Sequence, residues 1–253
     1  MVDKESGACS PSGTRYLLDQ GWVHGDGVIV GEPGNSQITT AHRGLYRFRL
    51  QIHGEATHTG MQAWEQGTQG RNAILDMARV TVALAEISLP AVSTPAFARR
   101  RSMLTFPTLI KGGSGINVVP ASCEAYGHAR LLPEISAHEV RRVIGEQLER
   151  LSITAYCLDD LVSVPAAETD QEAEIVQTLA GAAETITGRR PPLQGCGPAC
   201  DGWMFITRGI LTVCGYGVTC GGAHGADEWV DLASLRSITE VYAHAMVHFL
   251  GSR

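Results

Sequence analysis

The 253-residue chain is 44% apolar and 18% charged, and its 20 basic and 26 acidic residues leave a formal charge of −6. That length and apolar content suit one large core or two small ones. The acidic balance offers no basic field to nucleic acid or an anionic membrane, and no apolar run approaches the roughly 18 residues of a membrane span.

Met1-Val2-Asp3-Lys4-Glu5 holds no apolar segment of the kind a secretory signal needs, which points to a cytoplasmic protein. Seven cysteines, at 9, 123, 157, 196, 200, 214 and 220, form no repeated CxxC. They read as reduced, mostly buried thiols rather than a zinc knuckle.

In chain order, Thr14 to Asp19 reads as a helix stopped at Gly21, and Val28-Ile29-Val30 as a buried strand running into the turn Gly31-Glu32-Pro33-Gly34. Leu45 to Ile52 alternates with period two, as a strand with one wet face does. Asn72 to Ile87 has helical spacing, with Ile74, Leu75, Ala78, Val82 and Ala85 on the expected core face. Ser102 to Ile110 and Cys123 to Leu131 read as strands. Ser136-Ala137-His138-Glu139 opens a helix with a capping box, with Val140, Ile144, Leu148 and Leu151 facing inward. Ile153 to Leu158 reads as a last short strand. The order β-α-β-β-α-β is the split βαβ pattern. Beyond it, Thr169 to Thr187 reads as a helix, Ile210 to Gly215 as a buried strand, and Leu232 to Leu250 as a terminal helix whose core face includes Leu235, Ile238, Val241, Tyr242, Ala245 and Phe249. The expected fold class is α/β: a layered domain at 1–41 and 160–253, interrupted at 42–159 by an α+β ferredoxin-like module.

Polar groups gather in glycine-rich turns. Glu32 follows an apolar strand, where carboxylates of α/β sheets face the ligand crevice; it reads equally as a solvated turn residue. His224, among Gly221-Gly222-Ala223 and Gly225, has the steric freedom to approach a metal, or is a surface loop histidine. Glu5, Glu32 and His224 together make an O,O,N donor set suited to zinc or a similar divalent ion, although they stand 27 and 192 residues apart. Asp201 sits in Gly197-Pro198-Ala199-Cys200-Asp201-Gly202, where Cys200 reads as a small packing residue. Within the module, His58 lies in a turn after a strand, Asn117 at the entrance to another strand, and Arg130 at that strand's end. An imidazole, an amide and a guanidinium are suited to a carboxylate and an oxyanion, although singly each is more often structural. No GxxxxGK[ST] phosphate cradle and no GxSxG nucleophile turn is present.

The ordered series Val2-Asp3-Lys4-Glu5, Gly31-Glu32-Pro33, the His58 turn with Asn72-Ala73, Gly112-Gly113 through Asn117-Val118-Val119-Pro120, Arg130, Asp201, and Ala223-His224 with Glu228 resembles a family of zinc metallopeptidases and amidohydrolases. That family contains acetylornithine deacetylase, succinyl-diaminopimelate desuccinylase, aminoacylase and carboxypeptidase G. The resemblance covers almost the whole chain. It implies hydrolysis of amide bonds in N-acyl or carbamoyl amino acids or short peptides, using zinc or another divalent metal such as cobalt or manganese. It implies Glu5, Glu32 and His224 as metal ligands, and Asn117, Arg130 and Asp201 as substrate-binding residues. It implies that His58 polarises the scissile carbonyl across a homodimer, with the module as lid and dimerisation domain. Two departures stand out. The family's earlier metal ligands, a His-x-Asp histidine and a bridging aspartate, have no counterpart ahead of Glu5. Lys4 stands where the family's general base, a glutamate, is expected, and an ammonium there can neither accept a proton nor tolerate a nearby dication. The expectation is an impaired or inactive hydrolase as this chain alone, the alternatives being a non-catalytic dimerising or binding protein of the same fold, or a truncated gene product.

Overall fold

The computed structural model describes residues 13–90, 94–98, 100–223 and 225–251. The first half contains α1 (Thr14–Asp19), β1 (Gly27–Ile29), β2 (Ile38–His42), β3 (Gly44–His53), α2 (Gln62–Glu65), α3 (Ala73–Ala85), β4 (Met103–Gly112) and β5 (Ser122–Leu131). There follow α4 (Ala137–Arg150), β6 (Tyr156–Val164), β7 (Ala167–Glu168), α5 (Glu174–Thr187), β8 (Leu193–Cys196), α6 (Gly202–Ile206), β9 (Leu211–Val213), β10 (Cys220–Gly221), β11 (Trp229–Val230) and α7 (Leu232–Gly251). The fold is mixed α/β. The chain divides into two compact units, one of residues 1–43, 93–100 and 164–253, the other of 44–92 and 101–163. Residues 93–100 thus group with the first of these units, although they lie inside the stretch read from the sequence as the module. No helix among the described residues is long and apolar enough to cross a membrane.

The unit of residues 44–92 and 101–163 is a four-stranded sheet in the order β4-β5-β3-β6. Its spine is the ten-residue antiparallel pairing of β3 with β5, from Gly44 opposite Leu131 to His53 opposite Ser122. Tyr46, Phe48, Leu50 and Ile52 alternate onto the buried face, where they join Met77, Val80 and Leu84 of α3 and Val140, Ile144 and Leu148 of α4 in one core. Gly127 lies opposite Phe48, and a Cβ there would come within 2.1 Å of the phenyl ring. The missing side chain makes room for an aromatic stack, with Tyr46 and Phe106 at 5.4 and 5.7 Å from Phe48 between ring centroids. The caps follow their sequence signals. Asn72 accepts from the Ile74 and Leu75 amides, and Ser136 from the Glu139 amide.

Two expectations are corrected in this unit. The buried face of α3 is Ala73, Met77, Val80 and Leu84, whereas Ile74, Leu75, Ala78, Val82 and Ala85 all point outward. This helix carries apolar residues on two faces, so periodicity offered two stripes, and packing against the sheet and α4 buries the one with Met77, Val80 and Leu84. The last strand starts at Tyr156 rather than Ile153. Ser152 adopts φ +58, the Ser152 amide bonds to Glu149 O and the Ile153 amide to Leu148 O, so Ile153 is the buried plug of a helix C-cap.

The other unit holds three small sheets. β1 pairs in parallel with β9; β2 lies between β7 (antiparallel) and β8 (parallel); β10 pairs antiparallel with β11. Thr39 of β2 ties two of them together, because its amide donates to Gly215 O and its carbonyl accepts from the Cys214 amide. α5 and α7 close one core over these strands through Val176, Leu179, Val241, Ala245 and Phe249, with Ile38, Val213 and Tyr216 beneath. Leu235, expected on the inner face of α7, is 46% exposed, and Ser234 takes the inner position. The Ser234 hydroxyl accepts from the Thr219 amide and donates to Asp231 O, so a polar cap starts this helix.

Met77→Ala and Gly127→Ala should each destabilise the β3–β5 unit, by about 2–5 and about 1–3 kcal/mol respectively. Glu86→Ala, on the outer end of α3, should stay within about 0.5 kcal/mol in urea unfolding.

Candidate functional site

Glu32 stands in the turn after β1. The Val30 amide continues the ladder to Val213 O, the Gly34 amide donates to Val218 O, and the Gly217 amide returns to Gly34 O. Segments 30–34 and 213–218 therefore lie backbone against backbone. A Cβ at Gly217 would sit 2.4 Å from the Glu32 carbonyl oxygen, and one at Gly215 would sit 3.0 Å from Glu32 Cβ. At Gly217 a side chain would clash with this backbone, and at Gly215 it would be tight; the approach places Glu32 just beyond the carboxyl end of β1, which pairs in parallel with β9. Its charge is felt by two thiols. Burial first, then the neighbouring Cys200 and Glu32, push Cys196 up to about 12. Cys200 is raised by its hydrogen bond with Cys214, by burial and by Glu32. Asp201, half-buried at the start of α6, accepts from Thr14 Oγ1 at 3.4 Å. Lys4, Glu5 and His224 lie outside the described residues.

The other unit brings His58 and Asn117 together. The Thr59 amide donates to Asn117 O and the Val119 amide to Thr57 O, pinning the two loops side by side. The Gly60 amide donates to His58 Nδ1 at 3.0 Å, so the lone pair is on Nδ1 and the proton on Nε2. Nε2 lies 3.1 Å from the Asn117 amide group, which must then present its carbonyl oxygen to that N–H. The result is an exposed imidazole N–H held in one orientation, a donor suited to a carbonyl oxygen gaining charge. Arg130 does not join this pair. It stands near the far end of β5, eight residues beyond Ser122, roughly 27 Å along an extended strand. The expected trio of His58, Asn117 and Arg130 is thus two groups at opposite ends of one sheet.

A further cluster escaped the sequence reading. Among the described residues, one imidazole nitrogen of His42 and the sulfurs of Cys200 and Cys214 lie within 4.8 Å of one another, all buried. The three come from the end of β2, the approach to α6 and the residue after β9, so no spacing rule could join them. The one local signal was the Cys200-Asp201-Gly202 turn.

The sequence profile of peptidase family M20/M25/M40 matches residues 2–248. The chain is 29% identical over 245 residues to succinyl-diaminopimelate desuccinylase of Methylorubrum extorquens strain PA1, covering 93% of this chain and 61% of that protein. It is 26% identical over 247 residues to acetylornithine deacetylase of Yersinia pestis, covering 94% and 60%. The chain therefore spans about three-fifths of the length of these curated relatives. Among solved structures, the aminopeptidase PepT of Bacillus cereus is similar with a TM-score of 0.74 at 20% identity, over 93% of this chain and 60% of that one. The M20 family metallo-carboxypeptidase Sso-CP2 of Sulfolobus solfataricus gives 0.61 at 14%, over 93% and 65%. These two likenesses establish the fold, and the profile match establishes the kinship: the chain belongs to peptidase family M20/M25/M40.

Proposed function

We propose that this chain carries the substrate- and cation-binding apparatus of a metal-dependent amide hydrolase, with turnover held down by Lys4. Its substrates would be N-acyl or carbamoyl amino acids or short peptides. The observation that carries the reading is the His58–Asn117 pair, an oriented N–H donor in a chain whose curated relatives are named desuccinylase and deacetylase.

Glu5, Glu32 and His224 would hold a divalent cation, zinc, cobalt or manganese. The position of Glu32, an exposed carboxylate at a parallel strand end, fits an oxygen ligand. When bound, such an ion polarises an amide carbonyl and acidifies water. The chain's own groups do the rest. The His58 Nε2–H would exchange its Asn117 acceptor for the substrate carbonyl oxygen as charge develops there. Arg130 of one copy and Asn117 of its partner would pair with the substrate carboxylate, and Asp201, next to Cys200 in the chain, would orient the substrate's other end. Lys4, in the position of the base, cannot take a proton from water while it is protonated.

The separation of His58 from Arg130 favours a homodimer, in which one copy's imidazole serves the other copy's site. The outward stripe on α3 supports the same assembly. Leu75 and Val82 are 60% and 63% exposed, and β4, an edge strand of the sheet, adds exposed Leu109 and Ile110 beside that helix. A second reading, a dimerising binding protein without chemistry, is favoured by Lys4 alone.

With zinc present, the chain should hydrolyse N-succinyl or N-acetyl amino acids weakly or not at all, and Lys4→Glu should raise the rate by about 10²-fold or more. His58→Ala in that background should remove most of the gain. An unchanged rate in Lys4→Glu would favour the binding protein. Manganese binding, read by electron paramagnetic resonance, should weaken in Glu32→Gln and in Gly217→Ala, whose added methyl displaces the Glu32 turn. Light scattering at micromolar concentration should give twice the 27.0 kDa chain mass, falling to one chain in Leu75→Asp/Val82→Asp. A monomeric parent protein would refute the dimer.

A further inference from the structure

We propose that His42, Cys200 and Cys214 form a buried site for a divalent, thiolate-seeking metal ion of the zinc class, separate from the carboxylate site at Glu32. The three residues are 0%, 3% and 1% exposed, and their donor atoms already lie within 4.8 Å of one another. Tetrahedral zinc with bonds of about 2.3 Å sets neighbouring donors about 3.8 Å apart. Closing the cluster onto an ion therefore takes about 1 Å of side-chain movement, with no segment rebuilt.

Three further features match what such a site requires. His42 Nδ1 lies 3.1 Å from the Arg43 carbonyl oxygen, which can only accept, so Nδ1 donates and the lone pair is on the buried Nε2. A backbone carbonyl holding the non-ligating nitrogen is the usual support of a metal-bound histidine. Next, Gly202 brings backbone against both sulfurs. A Cβ there would lie 3.0 Å from Cys214 Sγ and 3.2 Å from Cys200 Sγ, and the Gly202 amide already donates to Cys200 Sγ at 3.4 Å. That N–H remains in place to stabilise a thiolate. Finally, the charges close. Two thiolates, a neutral imidazole and a dication sum to zero, which a buried site needs and which a monovalent ion would not supply. Each thiol gives up its proton as the ion enters.

The full chain, stripped by chelator and titrated with cobalt(II), provides the test. Sulfur ligation gives an intense near-ultraviolet charge-transfer band that oxygen and nitrogen ligands do not. The expected result is a band saturating at one cobalt per chain, lost in Cys200→Ala and in Cys214→Ala, retained in Cys157→Ser, and displaced by zinc. Zinc should also protect Cys200 and Cys214 of the unaltered protein from alkylation, mapped by mass spectrometry, a readout that does not depend on any variant folding. No band at excess cobalt, a band surviving in the double variant, or equal alkylation with and without zinc would overturn the site. Manganese, a hard ion, reads the Glu32 site independently, so either site can fail without the other.

Discussion

Two glycines set the geometry on which the candidate chemistry depends. Gly215 and Gly217 let the segment after β9 lie directly against the Glu32 turn, at Gly217 at a distance no side chain would allow and at Gly215 at one a side chain would crowd. The same contact is threaded by backbone hydrogen bonds from Val30 to Val213 and between Gly217 and Gly34. β1 is only three residues long, so its own ladder is a weak anchor. The turn is held from behind instead, by Thr39 bonding to Gly215 and Cys214 and by the α5–α7 core pressing on Val213 and Tyr216. A carboxylate carried on a rigid strand end can meet a cation without reorganising, which is the property a hydrolytic site needs.

The second unit solves a different problem. Its antiparallel spine, β3 against β5, is long and continuous, and both helices bury their aliphatic faces on one side of it. This rigid sheet holds His58 and Asn117 at one end and Arg130 near the other. One chain cannot close a small substrate between groups that far apart. The proposed homodimer would remove that difficulty, and the outward apolar stripe of α3 with the neighbouring β4 edge is exposed.

Much of this was legible from residue order. Strong alternation at Leu45–Ile52 and the Ser136 cap located β3 and α4 within a residue or two, and the β-α-β-β-α-β order emerged from the same local signals. What failed, failed for physical reasons. α3 has aliphatic residues on two faces, so its period could not say which one is buried. Ile153 looked like strand because a β-branched plug after a left-handed Ser152 has the composition of a strand. Glu32 was singled out from its turn after an apolar run, and that turn does follow β1. His58 and Asn117, each singled out from its own turn, lie within hydrogen-bonding distance, whereas Arg130 stands at the far end of the sheet, a separation that local signals do not carry. The His42, Cys200 and Cys214 cluster was invisible because its members are 158 and 14 residues apart and meet only through the fold.

The central claim is that Glu32, with Glu5 and His224, holds a divalent cation at the end of β1. Anomalous X-ray scattering at the zinc edge, from zinc-loaded crystals of the full chain, tests it most directly. The account predicts a peak within bonding distance of the Glu32 carboxylate, with Glu5 and His224 converging on it. No peak at Glu32, or those three side chains dispersed over separate surfaces, would contradict it.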